Sequence, residues 1–87
     1  MPAKRKAISE KHVVLGRLIS EYRARRGLTQ ENLGFHSGLH RNYVGAIERG
    51  EINPTFTTLL RLERGLNAPL SELLDTFEQR LEEGKRP

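Results

Sequence analysis

The 87-residue sequence contains no cysteine and no tryptophan, with only two tyrosines and three phenylalanines. Without cysteine, neither a disulfide framework nor a thiolate zinc site can staple a small domain. The core must therefore come from helix packing, supplemented where needed by a partner chain. The lack of cysteine also fits a reducing cytoplasm. No apolar run approaches the length of a membrane span, and the opening "MPAKRKAISEKH" has no apolar segment of the signal-peptide kind. A cytoplasmic protein with no membrane role is expected. Few aromatics leave no stacking platform for RNA bases. The length limits the chain to one small domain.

What is present is charge, unevenly placed. The net charge is +4. Residues 1–30 hold eight Lys/Arg and two Glu, a net of +6, whereas residues 31–60 and 61–87 each carry −1. A basic excess in the first third favours an anionic partner, although a solvated face plus a basic tail would give the same count.

Breakers fall at Gly27, Gly38, Gly50 to Pro54 and Asn67 to Pro69, cutting the chain into five segments of helical length. The first runs from Ser9, a plausible N-cap, to about Arg26, with Leu15, Leu18, Ile19 and Tyr22 as one buried stripe. Gly27 is placed to end it in a left-handed conformation. Thr29 caps a second helix, "TQENLGF". The fourth starts at Thr55, carries Phe56, Leu59, Leu60 and Leu62, and ends at Asn67. The fifth opens at Pro69 and places Leu70, Leu73, Leu74, Phe77 and Leu81 on one face. No segment alternates with period two, so the fold class is all-α. The expected divisions are a disordered basic arm over 1–8, a folded domain over 9–83 and a frayed tail over 84–87.

The third segment, within "SGLHRNYVGAIERG", is the unusual one. On a wheel of about 100° per residue, Val44 and Ile47 point one way. Asn42, Gly45, Ala46 and Arg49 point the other, with Arg41 on the border. A mid-helix glycine costs roughly 1 kcal/mol relative to alanine, so Gly45 asks for a reason. Close approach of another surface is one. A B-DNA major groove admits a helix, takes Arg to guanine and Asn to adenine, and rewards small apolar contact with a thymine methyl. An ordinary solvent-exposed helix with one unfavourable glycine is the other.

The stretch from Leu28 to Leu62, "LTQENLGFHSGLHRNYVGAIERGEINPTFTTLLRL", resembles the phage repressor and Cro-type helix-turn-helix family, also called XRE. The resemblance rests on Thr29, Gln30, Gly34, Gly38, Val44 and Ile47 at the family's spacing, followed by "IERGE.NP", and covers about residues 15–75. It implies a five-helix lambda-repressor-like domain with its helix-turn-helix unit at about 29–49. The helix at about 40–49 would enter a major groove. Arg41 and Asn42 would read bases while Ala46 and Gly45 allow close approach. Gln30 and Thr29, at a helix N-terminus, would hold a phosphate, with His40, Tyr43, Arg49 and Asn53 as weaker phosphate candidates. Arg23 and Glu48 occupy positions of a structural ion pair. Two departures stand out: Gly34 replaces the commoner alanine, which loosens the second helix, and His40 stands where Ser or Thr usually caps the third. Glu63 and Gly65 receive no role.

The resemblance thus implies a double-stranded-DNA-binding transcriptional regulator, acting as a homodimer on a pseudo-palindromic operator. The helix at about 69–83, through Leu70, Leu73, Leu74, Phe77 and Leu81, is the candidate dimer interface. The alternative is a helix-turn-helix domain acting mainly through a protein partner, of antitoxin or coactivator kind. No catalytic constellation emerges: Gly38 interrupts the i, i+4 spacing of His36 and His40, and serines and carboxylates follow no motif. No enzyme activity, cofactor, metal or small-molecule ligand is expected.

Overall fold

A computed structural model describes residues 6–85. The described chain forms five α-helices: α1 (Glu10–Arg25), α2 (Gln30–Ser37), α3 (Arg41–Glu48), α4 (Phe56–Leu66) and α5 (Leu70–Gly84). There is no strand among the described residues. Each boundary has a local cause. Ser9, Thr29 and Thr55 accept the N–H of His12, Asn32 and Thr58, satisfying donors that a first helical turn leaves unpaired. Asn67 ends α4 at φ 51°, and Gly38 ends α2 at φ 71°. Pro69 offers no side-chain cap to α5; Glu63 reaches across from α4 instead, its carboxylate accepting the Leu70 N–H at 2.7 Å. That is the role the sequence left unassigned.

The core is built from Leu18 and Ile19 of α1, Leu33 of α2, Val44 and Ile47 of α3, Leu62 and Leu66 of α4 and Leu73 of α5. Burying each such side chain is worth about 1.5–3 kcal/mol, and this drives the five amphipathic segments together. Helix α2 packs on α3 and α4, and α1 packs on α3 and α5. The last joint is locked by Arg80, whose Nη1 and Nη2 donate to Glu21 at 2.7 and 2.6 Å. That hydrogen bonding holds the Glu21 carboxyl below its ordinary range against a smaller opposing effect of burial.

Several expectations change here. Leu73 belongs to the core of the protomer and is no surface residue. Leu70 and Phe77 are partly buried against that core, whereas Leu74 is exposed. On α4, Phe56 (68% exposed) and Leu60 (41%) point outward, leaving Leu62 and Leu66 inside. Helical spacing marked the apolar residues but not how many one small core can cover. Gly34 is needed, not merely tolerated: a Cβ there would collide with the Leu39 carbonyl oxygen as the chain turns from α2 into α3. Gly65 similarly lets α4 close on Ser37 and Leu33. The expected arm lies outside the described residues over 1–5, and residues 86–87 lie outside them too. Its inner end is tied, because the Ile8 N–H donates to the Gly50 carbonyl at 2.8 Å.

Candidate nucleic-acid interface

Helix α3 is presented from behind. Val44 and Ile47 are buried, and Gly16 of α1 lies against the C-terminal end of α3, where a Cβ would meet the carbonyl oxygens of Ile47 and Glu48. Arg23, also on α1, grips the same end. Its Nε and Nη2 donate to the Glu48 carboxylate at 2.6 and 3.1 Å, and its Nη1 donates to the Leu28 carbonyl at 2.8 Å. The two side chains are 18% and 6% exposed, so this pair is largely withdrawn from water.

Glu48 takes a further donor that the sequence did not suggest: Gln30 Nε2 at 2.9 Å. Gln30, at the first turn of α2, is thereby fixed beside α3. One of its two amide hydrogens is committed to Glu48 and the other is left for an outside acceptor. The first turn of α2 adds its remaining N–H groups, beyond the Asn32 N–H that Thr29 accepts, and a positive dipole end to the same edge. Thr29 is exposed there, its Oγ1 accepting the Asn32 N–H at 3.0 Å while its hydroxyl hydrogen stays available.

At the leading end of α3, Arg41 and Asn42 are both exposed. Arg41 Nη1 donates to Glu31 of α2 at 3.2 Å, a solvent-facing contact that costs little to exchange. His40 forms the cap that Ser or Thr would otherwise supply: its Nδ1 accepts the Asn42 N–H at 3.0 Å. An Nδ1 lone pair used in this way places the imidazole proton on Nε2, which is left as an outward donor. Ala46 and Tyr43 are half-buried, Tyr43 packing against the core.

Gly45 differs from its expected part. It is covered by this chain's own side chains: a Cβ there would lie 3.0 Å from Arg49 Nη1 and 3.3 Å from Gln30 Oε1. Its bareness therefore makes a bed for two polar side chains. Arg49 in turn is held by Glu51, Nε to Oε2 at 2.8 Å and Nη2 to Oε1 at 3.3 Å, and the hydrogen bond to Glu51 raises the guanidinium above its ordinary range. Asn53 is anchored to the start of α1. His12 Nε2 lies 3.0 Å from Asn53 Oδ1, which can only accept, so the imidazole donates and the Asn53 amide NH2 faces outward.

Arg41, Asn42, Gln30, Thr29 and His40 thus gather along the α2 and α3 N-terminal ends. Arg49 and Asn53 lie toward the far end of α3. Glu31 and Glu51, which orient Arg41 and Arg49, were missed as site residues, whereas Glu48 was expected as the partner of Arg23 but not of Gln30. The signal for Glu31 was charge opposite a basic residue on a neighbouring helix. Glu51 follows the end of α3, beyond the reach of helical spacing rules.

Residues 19–73 match the helix-turn-helix family. Among curated relatives, the control protein C.SmaI of Serratia marcescens is 39% identical over 71 residues, covering 82% of this chain and 84% of that protein. Among solved structures, the restriction–modification controller protein C.AhdI of Aeromonas hydrophila is 40% identical with a TM-score of 0.73, covering 75% of this chain and 98% of that one. The controller protein C.Esp1396I is 27% identical with a TM-score of 0.81, covering 86% and 97%.

Proposed function

Because the chain belongs to the XRE-type helix-turn-helix family, we propose that it is a sequence-specific transcriptional regulator of double-stranded DNA. In this reading α3 lies in the major groove, with Arg41 and Asn42 on base edges and Ala46 against an apolar base surface. Gln30, Thr29, His40, Tyr43 and Asn53 hold phosphates on either side. The observation that carries the reading is the two-sidedness of α3. Val44 and Ile47 are sealed inside, and the long donors Arg41 and Asn42 stand exposed at its leading end beside the N-terminus of α2. The donors offered are those that distinguish base pairs, and the helix end beside them suits an anion.

One protomer reaches one half-site, so a two-fold dimer on a pseudo-palindrome, with half-sites about 34 Å apart, supplies the remaining affinity. Exposed Phe56 and Leu60 on α4 and Leu74 on α5 support such a contact, with Leu70, Phe77 and Leu81 continuing the α5 side. The relatives named above are control proteins, which favours a cytoplasmic regulator of a restriction–modification operon, responding to its own concentration. No catalytic step is part of this reading. Selection from random duplexes tests it: an enriched palindrome is expected. Salt-sensitive weak binding without enrichment would instead favour a domain that works through a protein partner.

A further inference from the structure

Arg49 stands two turns beyond Asn42 on the same face of α3. Its surroundings differ from those of a side chain reaching for a phosphate. Glu51, whose side chain is only 8% exposed, holds the Nε and Nη2 edge of a guanidinium that is itself 47% exposed. The buried carboxylate is the anchor and the guanidinium is the presented end. Nη1 lies over bare Gly45, with the Gln30 amide bordering the same spot. The side chain therefore lies flat along the helix.

Two consequences follow from elementary chemistry. An Arg–Glu pair carries no net charge, so its attraction for the phosphate backbone is largely cancelled, and backbone binding depends on net charge. Direction, by contrast, is retained. With one edge of the fork occupied by Glu51, the edge formed by Nη1 and Nη2 remains. It presents two parallel N–H groups at the spacing that meets guanine O6 and N7.

We propose that Arg49, clamped by Glu51 and bedded on Gly45, reads a guanine through its Nη1/Nη2 edge and is a specificity-determining residue at the far end of α3. Glu51 is then a positioning residue. The assignment rests on the major-groove placement of α3 proposed above, and it moves Arg49 out of the phosphate contacts.

The test uses the full chain, the site selected from random duplexes, and every single-base-pair variant of that site, at several salt concentrations. Arg49→Ala/Glu51→Gln, which removes the pair without uncovering a charge, should lose about 5- to 150-fold in preference at one G·C pair per half-site, with other positions and the salt slope unchanged. Glu51→Gln should act in opposite directions: tighter, more salt-dependent binding to all duplexes, because a cation is uncovered, and weaker discrimination at that same pair. A merely structural role for Glu51 would not produce that split. Uniform weakening by Arg49→Ala/Glu51→Gln with a salt slope shallower by about one, and no selective loss at any G·C pair, would make Arg49 a phosphate contact and overturn the proposal. Full retention of the guanine preference by Arg49→Lys would also overturn it. If the wild-type chain enriches no sequence, the groove placement itself fails and the Arg49 assignment falls with it, a result distinct from the other two.

Discussion

Removing the Glu48 carboxylate should unfasten α3 from both its neighbours. In Glu48→Ala, Arg23 loses two charge-assisted bonds of 2.6 and 3.1 Å, and Gln30 loses one of 2.9 Å. The Arg23 side chain, 18% exposed, would keep the Leu28 carbonyl and a long contact to Ser20 as its internal acceptors. Breaking a buried pair by deleting one partner costs about 3–5 kcal/mol, whereas an exposed pair contributes about 1 or less. With 6% exposure on Glu48 and partial water access at Arg23, the low end of the buried range applies, about 3 kcal/mol. Urea denaturation should show this as a lower midpoint with an unchanged m-value. Arg23→Ala should lose a similar amount, and the double mutant little more than either, a coupling of about 2–3 kcal/mol. A loss below about 1 kcal/mol, or simple additivity, would refute the view that this carboxylate holds α3 in place.

Arg41→Ala and Asn42→Ala should each lose about 1–3 kcal/mol of binding at particular base pairs; equal weakening on every duplex, measured by titration, would remove them from the readers. Phe56→Glu or Leu74→Glu should shift a dimer to monomer in sedimentation without unfolding the chain, since both side chains are exposed; an unchanged dimer would place the contact elsewhere. Gly34→Ala should lower the melting temperature despite alanine's better helix propensity, because the new Cβ meets the Leu39 carbonyl; a gain in stability would show that the turn can yield. Glu21 has its folded-state pKa depressed by Arg80, so its stabilisation is present above the ordinary glutamate value and fades as pH falls through the lowered one. Glu21→Gln should therefore destabilise modestly at neutral pH, by about 1 kcal/mol or less given its exposure. The gap from wild type should narrow in acid denaturation; a gap that widened would reverse the sign.

Much of this architecture was legible in the chain because local chemistry and global packing agree. Ser9, Thr29, Thr55, Gly38 and Asn67 each act where short-range rules place them. Legibility ended where a role depends on what another segment brings near. Gly45 advertised a close approach, but periodicity could not say that the approaching groups were Gln30 and Arg49. Gly16 gave no signal at all, since its meeting with Ile47 and Glu48 joins segments some thirty residues apart. Apolar character alone did not separate the exposed Phe56 and Leu60 from the buried Leu62, because it records polarity without knowing where a core is already full. Glu63, silent in its own helix, acts at the start of the next one.

The eight residues of α3 make a helix shorter than the roughly 12–15 that hold together alone in water. Its shape is imposed by α1 and α2, through side chains on its inner side and at its rear end. Arg41 and Asn42, on the outside, lie apart from that core, Arg41 adding only a solvent-facing contact to Glu31 of α2. If those two side chains read bases as proposed, substitutions there alter which operator is chosen while the melting point barely moves. Taste in DNA and robustness of fold would then be set by separate residues.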